Sequence, residues 1–319
     1  MNINLMRCSF LALMLSASTW VSAQLLEPVE LNGFDLSDVS VPQEDIFQGG
    51  PPREGIPAID VPKFVGVDAA DFLSDDDRVL GVEIDGVARA YPIRILNWHE
   101  IVNDKIGDVS FSVTYCPLCG SGMVFSAQVE ELELTFGVSG LIFDNNVLLF
   151  DRNTESLWSQ VMGEAISGKL KGSRLQLMPV THTTWSGWRK QHPNTQVLNT
   201  DTGFPRDYTD NPYELYEQVD LIHFPVRNIA PQTYGAHEVI VGLRVGDQVK
   251  GYPYAELQKL GKASFKDTFN GHNLIVHWDE KANSVQIKNE AGELLPTMSS
   301  YWFAWYSFYP GAEVYTANN

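Results

Sequence analysis

The feature that most constrains this fold is a pattern that occurs twice. Residues 79–92 and 239–253 each join a β-branched run, a glycine turn (Asp85-Gly86 and Gly246-Asp247) and a short return run. That is the signature of a β-hairpin. Each closes on Tyr-Pro, Tyr91-Pro92 and Tyr252-Pro253. Proline suits a helix start, because the N–H it lacks would have no partner there, so a helix is expected after each pair. A further strand follows each helix, at 109–115 and at 273–278. The pattern predicts an internal duplication of a β-hairpin–helix–strand unit.

Between the copies, residues 123–126, 132–138 and 147–151 read as strands. Residues 183–191 read as a helix, opened by Thr183 or Thr184 and stopped by His192-Pro193. Residues 200–235 are rich in Pro, Asp and Tyr and read as a long loop. The class is α+β, β-rich with few short helices, and not a doubly wound sheet, since strands and helices do not alternate. Residues 24–62, broken by Gly49-Gly50-Pro51-Pro52, are expected to form an extended arm. Residues 63–319 form one domain with two halves, 63–200 and 236–319.

The N-terminus has the layout of a secretory signal peptide. Arg7 precedes an apolar run with Phe10, Leu11, Leu13, Met14 and Leu15, and Val21-Ser22-Ala23 supplies small residues for cleavage before Gln24. A periplasmic or secreted location is expected, with no transmembrane segment in the mature chain. Cys8 leaves with the leader, so two of the three cysteines remain. A net charge of −18 repels nucleic acid and anionic lipid, and no nucleic-acid partner is expected. The sequence has no phosphate loop, dinucleotide fingerprint, Gly-x-Ser-x-Gly elbow or His-Glu-x-x-His motif, which argues against a nucleotide cofactor, serine hydrolysis and zincin chemistry.

The remaining cysteines stand together as Cys116-Pro117-Leu118-Cys119, after a strand and before Gly120-Ser121-Gly122. Three readings are open. A thioredoxin-like pair would open a helix, and glycines followed by another strand do not, although redox chemistry on a different scaffold stays open. A metal knuckle would present two sulfurs and need further ligands, for which His99 and His182 are the candidates. Sulfur with imidazole suits copper, zinc or iron. An inert disulfide is the third reading, and its loop is too short to stabilise much.

The leading expectation is a soft transition-metal site of Cys116, Cys119, His99 and His182, with a metal ion or small molecule as partner. Cys116 and Cys119 would be catalytic under the thiol reading. With His99 facing the sulfurs, Glu100 would cap its helix or stay solvated. Asp151, Arg152, Trp158 and Gln160 are expected to line an adjoining substrate pocket. The second copy carries Asp279 at the offset of Cys116, so no cysteine chemistry is expected there.

Several segments together resemble one family. They include Ile56-Pro57-Ala58-Ile59-Asp60, Asn97-Trp98-His99-Glu100, Thr114-Tyr115-Cys116-Pro117-Leu118-Cys119, Phe136-Gly137-Val138-Ser139-Gly140, Ser156-Leu157-Trp158-Ser159-Gln160 and Phe303-Ala304-Trp305-Tyr306. They are similar to the bacterial and archaeal domain-of-unknown-function family numbered 3179, over nearly the whole mature chain. That resemblance implies export or anchoring and leaves the chemistry open.

Overall fold

The structure, a computed structural model, describes residues 29–317. The expected leader, with Cys8, lies outside the described residues. Among the described residues, no helix is long and apolar enough to cross a membrane.

The described residues are β-rich, with five short α-helices among them: α1 (Ile93–His99), α2 (Trp185–Gln191), α3 (Glu214–Gln218), α4 (Tyr254–Leu260) and α5 (Trp302–Phe308). Both expected hairpins form. In the first, Arg78–Ile84 pairs with Val87–Pro92 across Asp85 and Gly86, both at positive φ, as a type I′ turn requires. In the second, Val239–Val245 pairs with Gln248–Pro253, and Gly246 takes the positive φ. α1 and α4 start directly after Pro92 and Pro253. Each then leads into an antiparallel pair: Ile101–Ile106 with Val109–Cys116, and Ser264–Phe269 with His272–Asp279. Thr184 caps α2 by accepting from the Gly187 N–H at 3.2 Å.

Each hairpin is flanked in the same way. Thr181–Thr184 pairs antiparallel with the first hairpin, continues into α2, and returns as Gln196–Leu198 parallel to Val87–Pro92. Thr297–Tyr301 does the same for the second hairpin, continues into α5, and returns as Glu313–Val314 parallel to Gln248–Pro253. A tryptophan from the helix lies flat on a glycine of the hairpin in each case. A Cβ on Gly81 would overlap the ring of Trp188, and a Cβ on Gly242 would overlap the ring of Trp305. Both rings are buried. Only glycine permits that approach of ring to strand.

The segments that carry the two hairpins interlock. Ser121–Ser126 of the first pairs with Thr297–Tyr301 of the second through Ser299 and Gly122, which extends one sheet across the molecule. On the other side, Gln286 donates to the Thr181 hydroxyl at 3.2 Å. A separate five-stranded sheet runs from Glu164–Ala165 through Leu157–Ser159, Asn146–Asp151 and Phe136–Phe143 to Ile46–Gln48. It backs the strand that carries the cysteines. Cys116 and Cys119 belong to the apolar cluster that also holds Met123, Trp158, Trp302 and Trp305.

Candidate functional site

Cys116 ends the strand Val109–Cys116, and a single turn of 3-10 helix, Pro117–Cys119, follows it. Gly120 closes that turn at φ 56, and Ser121 starts the return strand opposite Cys116. Both cysteines are free thiols, 1% and 0% exposed.

The two sulfurs have unequal surroundings. Asn146 Nδ2 donates to Cys119 Sγ at 2.9 Å, and the Ser121 hydroxyl lies 3.3 Å from the same sulfur. The second Asn146 amide proton goes to Gln160 Oε1 at 2.8 Å, which also accepts from Ser121 at 2.6 Å. Gln160 Nε2 in turn donates to the Thr114 hydroxyl at 2.9 Å, and Thr114 donates to the Met123 carbonyl at 3.1 Å. Asn146 Oδ1 accepts from the Val161 N–H at 3.3 Å. This chain fixes the orientation of both amides and leaves an N–H aimed at Cys119. Burial alone would raise its pKa, but hydrogen bonds from Cys116, Ser121 and Asn146 outweigh that and hold the Cys119 thiol below its ordinary value. Burial pushes the Cys116 thiol up, and its bond to Cys119 pushes it further. The negative charge therefore belongs on Cys119, with the proton on Cys116.

Neither candidate histidine reaches the sulfurs. His99 is buried, with Nδ1 at 2.8 Å from the Pro57 carbonyl and Nε2 at 2.6 Å from the Tyr208 hydroxyl. The first contact makes Nδ1 the protonated nitrogen, so Nε2 accepts from Tyr208. His182 Nε2 lies 3.1 Å from the Gly122 carbonyl and Nδ1 2.9 Å from the Ser299 hydroxyl. All four ring nitrogens are thus engaged inside the protein. Among the described residues, no three His, Cys, Asp or Glu side chains form a group that could hold a metal ion. The relation expected around α1 is inverted: His99 turns away, and Glu100 is the residue whose side chain the Cys116 sulfur influences.

The consecutive residues Asn97, Trp98 and His99 act together. Asn97 donates to Asn211 at 2.9 Å, Trp98 to the Asp210 carbonyl at 3.1 Å, and His99 accepts from Tyr208. They pin the long segment 200–235 to α1. That segment then covers the cysteine turn, because the Tyr216 hydroxyl in α3 donates to the Leu118 carbonyl at 2.6 Å.

Of the four residues expected to line a pocket, Gln160 joins the hydrogen-bond network around Cys119, and Trp158 shares the cysteines' apolar cluster. Asp151 is buried and accepts from the Thr154 N–H at 2.6 Å, the Thr154 hydroxyl at 2.9 Å and Trp158 Nε1 at 2.9 Å. Those bonds make Asp151 and Trp158 the frame of a turn. Arg152 pairs with Glu54 at 2.5 Å and Asp60 at 2.9 Å, which ties the N-terminal segment down. Asn146, Ser121 and Tyr216 carry no sequence signal of a role. Asn146 follows Asp144-Asn145, both at positive φ, and reads as one more turn residue.

Comparison with curated proteins and with solved structures finds no match. The family described as protein of unknown function (DUF3179) matches residues 53–294, and the chain belongs to it.

Proposed function

We propose that this protein is a thiol–disulfide redox protein whose working group is the pair Cys116 and Cys119. The observation that carries this reading is the asymmetry of the pair. Asn146 directs an N–H at Cys119 at 2.9 Å, a charge-assisted contact suited to a thiolate, and Cys116 keeps its proton. An inert pair needs no donor array on one sulfur only. A knuckle of two sulfurs without a third ligand is a poor metal site.

In the reaction, the Cys119 thiolate attacks one sulfur of a low-molecular-weight disulfide. A mixed disulfide forms, the substrate S–S bond breaks, and the first thiolate leaves and takes a proton from water. Cys116 loses its proton and attacks Cys119 Sγ, which expels the second thiolate. The protein dithiol is oxidised to a disulfide and the substrate disulfide is reduced to two thiols. Segment 200–235 has to lift from Leu118 to admit the substrate.

Two further readings accompany this one. The matched placement of Trp188 on Gly81 and Trp305 on Gly242 supports a duplicated hairpin–helix–strand unit, with 63–200 as the dithiol half and 236–319 as its structural counterpart. The leader at residues 1–23 supports export, where a dithiol would meet oxidised partners.

The test is to incubate reduced protein with glutathione disulfide, quench with an alkylating agent, and weigh the product. A reversible loss of two hydrogens at Cys116 and Cys119 is expected, with metal content negligible and equal in wild type and Cys116→Ser. A pair that stays fully reduced in excess oxidant, or metal bound in wild type and lost in Cys116→Ser, would overturn the reading.

A further inference from the structure

We propose that this protein binds an organic monocarboxylate with an apolar body, its carboxylate held by Arg244 and its body laid in the cleft between the two hairpin-bearing segments. The proposal is independent of the dithiol reading, and its test requires no thiol chemistry.

The cleft forms where strands of both segments meet. Ser121–Ser126 and Thr297–Tyr301 are neighbours in one sheet. Alternate residues of a strand share a face, so Met123 and Phe125 point to the same side. They make the floor together with Met298 from the neighbouring strand and Val161 from the loop after Leu157–Ser159. Leu177, the register partner of Phe125, stands on one wall. Arg244 of the second hairpin, with Gly246 and Asp247 of its turn, stands on another. The cleft has a volume of about 500 Å³, within the usual range for a small-molecule site. Met123, Met162 and Met298 all line it, three of the four methionines among the described residues. The unbranched, polarizable methionine side chain adapts to irregular apolar shapes, which suits a floor that receives a flexible body.

The rim is cationic, in a chain whose net charge is −18. A smaller hollow of about 290 Å³ adjoins the cleft: Arg174, Arg244 and Asp247 line both, and Arg227 lines the smaller one. Two of these three arginines are matched by carboxylates, Arg174 by Glu164 at 3.0 Å and Arg227 by Asp144 at 2.6 Å. Arg244 is bonded to neutral groups only. Its Nη1 donates to the Met162 carbonyl at 3.1 Å, and its Nη2 donates to the Val161 carbonyl at 3.5 Å and to the Tyr309 hydroxyl. These bonds hold the guanidinium in place before any ligand arrives, which lowers the entropy lost on binding. They neutralise none of its charge. A guanidinium has five N–H donors, and the three bonds leave two of them for a ligand. Asp247 is the opposing group on the rim, but it is exposed on a turn, where solvent screens it. One unmatched cation above an apolar floor selects a single negative charge on an apolar body, rather than a polyanion or a sugar.

The experiment is isothermal titration calorimetry of the purified protein with octanoate and with 1-octanol, for wild type, Arg244→Gln and Leu177→Trp. Wild type should bind one octanoate per chain. Octanol has the same chain without the charge and should bind at least about 10-fold more weakly, the low end for losing a hydrogen bond to a charged group. Arg244→Gln should weaken octanoate at least about 10-fold and leave octanol unchanged, a split that a merely structural arginine would not produce. Leu177→Trp fills the cleft without touching Arg244. Leu177 is only half-buried, so the larger ring can be accommodated, and both ligands should bind more weakly. No octanoate binding by wild type, octanol binding as tightly as octanoate, or wild-type octanoate affinity in either variant would overturn the proposal.

Discussion

Acidification should destabilise this protein through His182, by an amount that can be worked out. The neutral ring donates from Nε2 to the Gly122 carbonyl and accepts at Nδ1 from Ser299. Protonation need not break either bond, because the Ser299 hydroxyl also lies 3.3 Å from the Gly120 carbonyl and can turn to it. What opposes the charge is burial first, then the positive charge of Arg78, and together they bring the pKa down from 6.5 to about 3. A folded value below the unfolded one means the unfolded chain binds the proton more readily. The stability is therefore present above the unfolded value of 6.5 and is lost as pH falls toward about 3. At about 1.4 kcal/mol per unit the full loss is roughly 5 kcal/mol, and about 2.7 kcal/mol of it falls between about pH 7.5 and about pH 4.5. The assay is urea unfolding followed by tryptophan fluorescence at those two pH values, for wild type and His182→Gln. The variant keeps a donor toward Gly122 and cannot titrate, so the gap between the two proteins should shrink by about 2–3 kcal/mol on acidification. A gap constant to within about 0.5 kcal/mol would show that His182 does not titrate as reasoned.

Glu100 has the opposite sign. Its raised pKa contributes stability below the ordinary value of 4.5 that is lost as pH rises through the folded value, so Glu100→Gln should be more stable than wild type at neutral pH, as urea midpoints will report. Asn146→Leu removes the N–H aimed at Cys119; the pH midpoint of Cys119 alkylation should move up by about one unit, given about 1.4 kcal/mol for a hydrogen bond to a charged sulfur. Gly242→Ala forces a methyl into the ring of Trp305 and should cost about 3 kcal/mol, visible as a lower Tm. Trp158→Phe deprives buried Asp151 of one donor and should cost about 2 kcal/mol in urea unfolding.

What could be read along the chain was local. Asp85-Gly86 and Gly246-Asp247 specify their hairpins by turn geometry alone, and the Tyr-Pro pairs mark α1 and α4. Helix α2 lies within the stretch expected for it, with Thr184 as its cap. The site was only half legible. Its cysteines were plain, but Asn146 is 27 residues from Cys119, in a turn that would accept the same residue for conformational reasons. His99 has the residue type of a ligand, and its partners, Pro57 and Tyr208, lie 42 and 109 residues away. Asp151, Arg152 and Trp158 formed a dense polar run because a turn needs such groups as much as a pocket does. Glu100 reads along the chain as a helix cap or a solvated acid; it does end the helix, but it is buried, because the strand after it folds back against the cysteine strand.

Where Ser121–Ser126 meets Thr297–Tyr301 also decides the order in which the molecule can be completed. The Ser300 hydroxyl reaches the Cys119 carbonyl, and Ser299 reaches that of Gly120, across 181 and 179 residues of chain. Contacts of such separation form late, after the entropy of closing a long loop has been overcome. During synthesis the cysteine turn emerges long before the strand that shuts it in. Full enclosure of the thiols therefore requires a strand that lies about 180 residues further along the chain.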